Sequence, residues 1–337
     1  MKAAVKANKE QFDIQEVPVP KIGANDCLVK VHYCATCVWC YEEWLRDGTN
    51  DLYGPGVTGH EMSGIVEQVG ANVARWQPGD AVLTYVAGHC GSCPECREGK
   101  ETYCRRPSDW VIHGYAEYVA APQQCLLPSP PPINLKNAAL ITDMVGTSMH
   151  AIRRAFAVAL DRSVVAIWGL GPVGLFAVQG VRTFPGVMKV VAIDPVAYRR
   201  ELALKLGADE ALDPASPGIE QKLLEENSGR GVNCAFNCAL RNPDAVDVAV
   251  RTLKLDGYLM NITGQARSAF QQEKRIDGTF YFFKNEYDEN VQLVLDGKIR
   301  LEPILTHEFP LDRINEAMEL RAKHPDQGLK VTIRCVR

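Results

Sequence analysis

The chain has 337 residues, 46% hydrophobic and 23% charged, a globular balance with enough length for more than one core. Its 37 Lys and Arg against 41 Asp and Glu leave a net charge of −4, and no basic run could neutralise a row of phosphates, which argues against nucleic acid as a partner. No apolar stretch is long enough to span a membrane, and the opening MKAAVKANKEQ lacks the apolar core of a signal peptide, so a cytoplasmic chain with no membrane partner is expected.

From Lys2 to about Asp143 short β-type runs alternate with turn residues, predicting strands at Lys2–Lys6, Cys27–Cys34, Gly64–Val69, Ala81–Val86 and Tyr115–Ala120. Pro128, Pro130, Pro131 and Pro132 then stiffen the chain, and Lys136–Ala159 has helical spacing. Beyond residue 150 strands and helices alternate. Strand Ser163–Trp168, helix Pro172–Phe184, strand Lys189–Asp194 and helix Ala197–Leu206 come first. Strands Cys234–Cys238 and Tyr258–Ile262 follow, with helix Pro243–Leu253 between them. Such alternation is the signature of an α/β fold with a doubly wound parallel sheet. The tail from Asp288 is mixed, and Leu329–Val336 has the pattern of a strand returning to the first domain. The expected layout is a strand-rich domain over 1–150 and 288–337, carrying a cysteine lobe at 88–106, with an α/β domain over 151–287 inserted into it.

Gly169, Leu170, Gly171, Pro172, Val173 and Gly174 spell GxGxxG between an apolar strand and a helix. There, glycine lets the backbone approach a pyrophosphate and the helix N-terminus faces it. Asp194 ends the next predicted strand, where an acid accepts hydrogen bonds from the adenosine ribose hydroxyls. Its charge repels a 2′-phosphate and the nearest cation is Arg199, so NAD is favoured over NADP.

The 12 cysteines of a cytoplasmic chain point to metal rather than disulfides. Cys90, Cys93, Cys96 and Cys104, spaced Cys-x2-Cys-x2-Cys-x7-Cys, can close a tetrahedron around zinc. Four thiolates leave no open position, so this zinc would stiffen the loop. An iron–sulfur cluster is disfavoured because nothing else in the chain is built for electron transfer.

His60 and Glu61 stand in Gly59-His60-Glu61-Met62-Ser63-Gly64, and Cys37 lies earlier in the same half. Together with the cysteine lobe, the glycine turn and the domain order, they resemble the zinc-containing medium-chain alcohol and polyol dehydrogenases over essentially the whole chain. The resemblance implies a GroES-like catalytic domain and a Rossmann domain with the active site in the cleft between them. It implies two zincs per chain, one structural and one catalytic, and NAD-linked hydride transfer between an alcohol and a carbonyl compound. It maps the ligands of the catalytic zinc to Cys37, His60 and Asp143, the last where many members have cysteine, with Glu61 behind them or exchanging onto the metal. It places Thr147 against the nicotinamide. It also implies a homodimer or homotetramer, joined through an edge strand at Tyr258–Ile262 or Thr279–Phe283.

The pattern breaks after Cys37. Where the family has a glycine, a Ser or Thr, and an Asp, this chain has Val38, Trp39 and Cys40, so the hydroxyl that relays the substrate proton and the carboxylate that braces the zinc histidine are both missing. Glu42, where many relatives have the relay histidine, is a candidate base. Trp39 and Trp110 could wall the pocket with aromatic faces suited to an apolar ring or the C–H face of a sugar. Two other readings compete: a zinc-free quinone or enone reductase, and an idle NAD-binding protein whose Cys34, Cys37 and Cys40 sense oxidants.

Overall fold

The computed structural model describes residues 1–48, 58–108, 110–240, 242, 244–262 and 273–336. The chain divides into two compact units, one of Met1–Asp143, Phe283–Tyr287 and Ile304–Arg337, the other of Met144–Phe282 and Asp288–Pro303.

A seven-stranded sheet forms the first unit, with strand Asp26–Ala35 as its hub. Cys27, Leu28, Val29, Val31, Cys34 and Ala35 of that strand are all buried, and each Val or Leu contributes roughly 1.5–3 kcal/mol by leaving water. Glu61–Val69 pairs antiparallel along one edge of the hub. The other edge is shared: Tyr118–Pro122 runs along residues 26–30 and Lys330–Arg334 along residues 33–35. The C-terminal strand therefore lies against Tyr33, Cys34 and Ala35, and Leu305–Pro310 pairs parallel to it.

Helix Val38–Leu45 follows the hub strand directly and has no counterpart among the predicted elements. Cys40, Tyr41 and Trp44 bury one face of it, at the spacing that brings side chains together on a helix. Its C-terminal carbonyls are met by a cation: Lys6 Nζ donates to Trp44 O at 2.8 Å and to Arg46 O at 3.1 Å.

The second unit carries a six-stranded sheet, all parallel, in the order Glu210–Leu212, Lys189–Ile193, Val164–Trp168, Val232–Asn237, Leu253–Asn261, Arg275–Gly278. Numbered along the chain this order is 3-2-1-4-5-6, the doubly wound dinucleotide-binding arrangement. Helices Pro172–Val181, Ala197–Lys205, Ile219–Gly229 and Asp244–Thr252 connect its strands. The first residue of the helix expected over Pro243–Leu253 lies outside the described residues.

Two features differ from the sequence reading. The second unit takes in residues 144–150 and 288–303, because helix Gly146–Val158 and the 288–303 segment are bonded into it. Ser148 Oγ donates to Val173 O at 2.9 Å, Arg153 Nη2 to Asn290 Oδ1 at 2.8 Å, and Arg300 N to Gln179 Oε1 at 2.8 Å. Neither proposed edge segment is the sheet edge. Tyr258–Met260 is buried in an interior strand, and Thr279–Phe283 is not extended, since Tyr281 turns to φ +57° and packs with Phe282 inside the unit. The outer strand on that side is Arg275–Gly278, and the opposite edge is Glu210–Leu212.

No helix among the described residues is long and apolar enough to cross a membrane.

Candidate functional site

Three elements of the first unit deliver one cluster. Cys37 is the N-cap of helix Val38–Leu45, His60 immediately precedes strand Glu61–Val69 and Glu61 opens it, and Asp143 sits in a wide π-helical turn, Ile141–Val145, a geometry frequent at functional sites. Gly59 makes the entry possible. Its φ is +104° and a Cβ there would lie 2.9 Å from Cys34 Sγ and 3.1 Å from the Tyr115 ring, so a side chain would push His60 out of place. The ligand atoms of Cys37, His60, Glu61 and Asp143 all lie within 4.8 Å of one another, and none of the four is more than 9% exposed.

Their electrostatics follow from burial and mutual contact. Burial alone pushes the His60 imidazolium down, but hydrogen bonds with Asp143, Cys37 and Cys40 reverse this and hold it well above its ordinary range. His60 Nε2 is 3.1 Å from Asp143 Oδ2. Burial pushes the Cys37 thiol up, and the hydrogen bond to His60 draws it partly back. Glu61 is raised by burial and eased down by Lys330, whose Nζ donates to Glu61 Oε1 at 2.5 Å and to Thr36 O at 2.8 Å. Glu61 Oε2 is buried with no hydrogen-bond partner among the described residues. One sulfur, one imidazole and one carboxylate at this separation, with a second carboxylate oxygen left over, fit the donor set and size of a zinc site.

Glu42 is half-buried on the same helix and is not one of the four clustered side chains. Trp39 and Trp110 are 47% and 41% exposed. Sequence reasoning missed Lys330, 269 positions from Glu61 along the chain, which only the pairing of the last strand with the hub could reveal.

In the cysteine lobe the four thiols likewise lie within 4.8 Å, with Cys93 Sγ 3.4 Å from Cys96 Sγ and 3.8 Å from Cys104 Sγ. A zinc tetrahedron with bonds of about 2.3 Å has sulfur–sulfur edges of about 3.8 Å. Backbone amides of Ser92 and Cys93 donate to Cys90 Sγ, and those of Cys90 and Arg106 donate to Cys104 Sγ. The bonds to Cys90 Sγ, led by that of Ser92, draw the Cys90 thiol down to about 5, whereas burial pushes Cys96 up to about 12.

The glycine turn belongs to the second unit. Gly169 N donates to Ile193 O at 2.8 Å, and a Cβ on Gly174 would come within 1.9 Å of Gly169 O, so the helix can pack this close only through glycine. Gly171 caps helix Pro172–Val181 with open space where a side chain would stand, and Pro172 takes the first helical position, where its missing N–H costs nothing. Val173 gives its carbonyl to Ser148. Asp194 is 4% exposed. Its Oδ2 accepts from Leu170 N at 2.7 Å and its Oδ1 from Val196 N at 2.8 Å, so the acid braces the turn. Arg199 Nη1 stands 3.9 Å from Oδ2 and Arg200 Nη1 donates to Asp194 O at 2.7 Å. Thr147 is buried on helix Gly146–Val158 of the same unit.

Comparison with known proteins agrees with both units. Residues 23–131 match the alcohol dehydrogenase GroES-like domain and residues 172–296 the zinc-binding dehydrogenase domain. Geraniol dehydrogenase from Carpoglyphus lactis is 27% identical over 94% of this chain and 93% of that protein. Sorbitol dehydrogenase from Bacillus subtilis is 27% identical over 99% and 97%. The alcohol dehydrogenase structure from Thermus sp. ATN1 superposes with a TM-score of 0.86 at 24% identity, covering 99% of both chains, and shares the fold. The chain belongs to the zinc-containing medium-chain dehydrogenase/reductase family, with a GroES-like domain and a Rossmann-type domain.

Proposed function

We propose that this protein is an NAD-linked alcohol dehydrogenase that interconverts an alcohol, of secondary, polyol or sugar-like type, and its carbonyl product. The observation that carries the reading is the set of four buried donors within 4.8 Å, held in a chain that also builds a dinucleotide turn. The relatives' names, geraniol dehydrogenase and sorbitol dehydrogenase, support an alcohol substrate and span both apolar and polyol chemistry.

Cys37, His60 and Asp143 would hold a catalytic zinc, and Cys90, Cys93, Cys96 and Cys104 a structural one. When bound, the catalytic zinc supplies Lewis acidity toward an alcohol oxygen, and NAD supplies the hydride acceptor. The chain's own residues do the rest. Lys330 holds Glu61 by Oε1 and leaves its buried Oε2 without a hydrogen-bond partner among the described residues. The turn Gly169–Gly174 and the N-terminus of its helix receive the pyrophosphate. Asp194 receives the ribose hydroxyls and, by its charge, selects NAD over NADP, with Arg199 beside it. Thr147 packs on the nicotinamide. Glu42 takes the substrate proton, directly or through water, in place of the absent hydroxyl at Trp39. Trp39 and Trp110 offer aromatic faces to the substrate. The protein works in the cytoplasm as a homodimer or homotetramer, joined through the outer strand Arg275–Gly278.

A panel of secondary alcohols, polyols and aromatic alcohols, with NAD and NADP in parallel, tests this reading. NAD reduction by at least one class, suppressed by a zinc chelator and restored by zinc, is expected. Silence across the panel from a protein carrying its zinc would favour the idle thiol sensor, and a preference for NADP would overturn the role of Asp194.

A further inference from the structure

We propose that the dipeptide Phe282–Phe283 positions Thr147 from the cysteine lobe, so that binding of the nicotinamide end of the cofactor depends on a folded lobe. The proposal rests on the dehydrogenase reading above, which places Thr147 on the nicotinamide, and it gives the lobe a task beyond stiffening its own loop.

Residues 283–287 are an excursion of five residues. The chain leaves the second unit after Phe282, joins the first, and re-enters the second at Asp288. Within the first unit the excursion is fastened to the lobe. The Phe283 ring meets the Tyr103 ring edge-on at 6.0 Å, and Lys284 N donates to Glu101 Oε2 at 3.4 Å. Asn285 packs on Gly99, where a Cβ would lie 2.9 Å from Asn285 Nδ2. Lys284 Nζ donates to Gln124 O, and Tyr287 Oη to Pro128 O at 2.5 Å.

Within the second unit both flanks of the excursion grip one helix, Gly146–Val158. Phe282 is fully buried against its first residue. A Cβ on Gly146 would lie 2.5 Å from Phe282 Cδ1 and 2.7 Å from Cγ, so the ring rests on the bare backbone, and Thr147 comes next. Two turns along the helix, Arg153 Nη2 donates to Asn290 Oδ1 at 2.8 Å and stands 3.0 Å from Glu289 Oε2. Five residues span at most about 18 Å when fully extended, and the tight turn Lys284–Glu286 shortens them, so the excursion carries little slack. A shift at its lobe end is passed to the start of the helix.

The lobe end holds only while the lobe is closed. Glu101 and Tyr103 belong to a single tight turn, Glu101–Tyr103, that has no buried residue of its own and stands between Cys96 and Cys104. Its place is set by those two thiols, which converge with Cys90 and Cys93. An opened lobe releases Phe283 and Lys284, and Phe282 then loses its backing at Gly146.

The test is binding of NADH and of ADP-ribose to the purified, zinc-loaded protein, with hydrogen exchange over residues 144–150 in the absence of cofactor as a second readout. ADP-ribose has the groups that the glycine turn and Asp194 receive but lacks nicotinamide. Tyr103→Ala and Phe283→Ala should each keep both zincs, weaken NADH about 3–30-fold and leave ADP-ribose within about twofold, and exchange over 144–150 should rise. The double variant should be no weaker than the weaker-binding single one, since both remove the same contact. Cys104→Ala, which opens the lobe, should lose at least as much NADH affinity and still bind ADP-ribose. NADH affinity unchanged in Phe283→Ala or Cys104→Ala, equal losses for both ligands, or additive losses in the double variant would overturn the proposal. Should Phe283→Ala not fold, Phe283→Leu replaces it beside Tyr103→Ala, whose ring is already 47% exposed. A wild type that binds no NADH, with exchange over 144–150 still rising in the variants, would overturn the dehydrogenase reading and leave the coupling standing.

Discussion

Replacing Lys330 by Met strands Glu61. Both side chains are buried, 1% and 0% exposed, so solvent does not screen the pair, and Glu61 Oε2 already lacks a partner among the described residues. The carboxylate in Lys330→Met is expected to fold protonated. Unfolded, it ionises near its ordinary value of 4.5, so at pH 7 holding the proton costs about 1.36 kcal/mol for each of roughly 2.5 pH units, or about 3.4 kcal/mol. Loss of the bond to Thr36 O adds about 1 kcal/mol. Because the folded variant then binds a proton that the unfolded chain lacks, its deficit grows as pH rises and shrinks as pH falls, to a protonation cost of about 1.4 kcal/mol at pH 5.5. Urea unfolding of wild type and Lys330→Met at both pH values measures this. Lys330→Met combined with Glu61→Gln removes the titrating group, and its stability should lose that pH dependence. A deficit under about 1 kcal/mol that does not change with pH would refute the argument, since breaking a buried pair by removing one partner ordinarily costs about 3–5 kcal/mol.

Other consequences follow from the same geometry. Zinc at the Cys37 site must displace protons from His60 and Cys37, both raised, so its apparent affinity should fall at least about tenfold per unit as pH drops from 8 to 6, as competition against a chelator would show. Cys104→Ala should lose one zinc and open residues 88–106 to protease, because that loop's four thiols converge on one point. Gly174→Ala should destabilise the second unit by about 3 kcal/mol and abolish NAD binding, measured by calorimetry, because its Cβ would overlap Gly169 O. Asp194→Ala removes an acceptor bonded to Leu170 N and Val196 N, and should raise the KM for NAD at least about tenfold while narrowing the preference over NADP.

The parts legible in the sequence are those written locally. The glycine turn, Asp194 one strand later and the four lobe cysteines depend on spacing within one supersecondary unit, and their backbones could be inferred from it. His60, Cys37 and Asp143 come from separate elements, and no spacing rule joins them. Their association was inferred from resemblance, and the structure brings their ligand atoms within 4.8 Å. Long-range pairing stayed hidden, since Lys330 reaches Glu61 only because the last strand lies against the hub. The helix Val38–Leu45 was invisible because its eight residues are too few to show a period against the strand before them. The sheet edge was misplaced for a related reason. Thr279–Phe283 has strand-like composition, but Tyr281 and Phe282 pack inward and the positive φ at Tyr281 breaks the extended run.

Zinc per chain, measured on wild type and Asp143→Ala with NAD reduction followed in the same preparations, tests the central claim most directly. The account requires two zincs in wild type and one in the variant, with NAD reduction lost alongside the second zinc. One zinc in both would contradict it, because Cys37, His60 and Asp143 would then not be metal ligands.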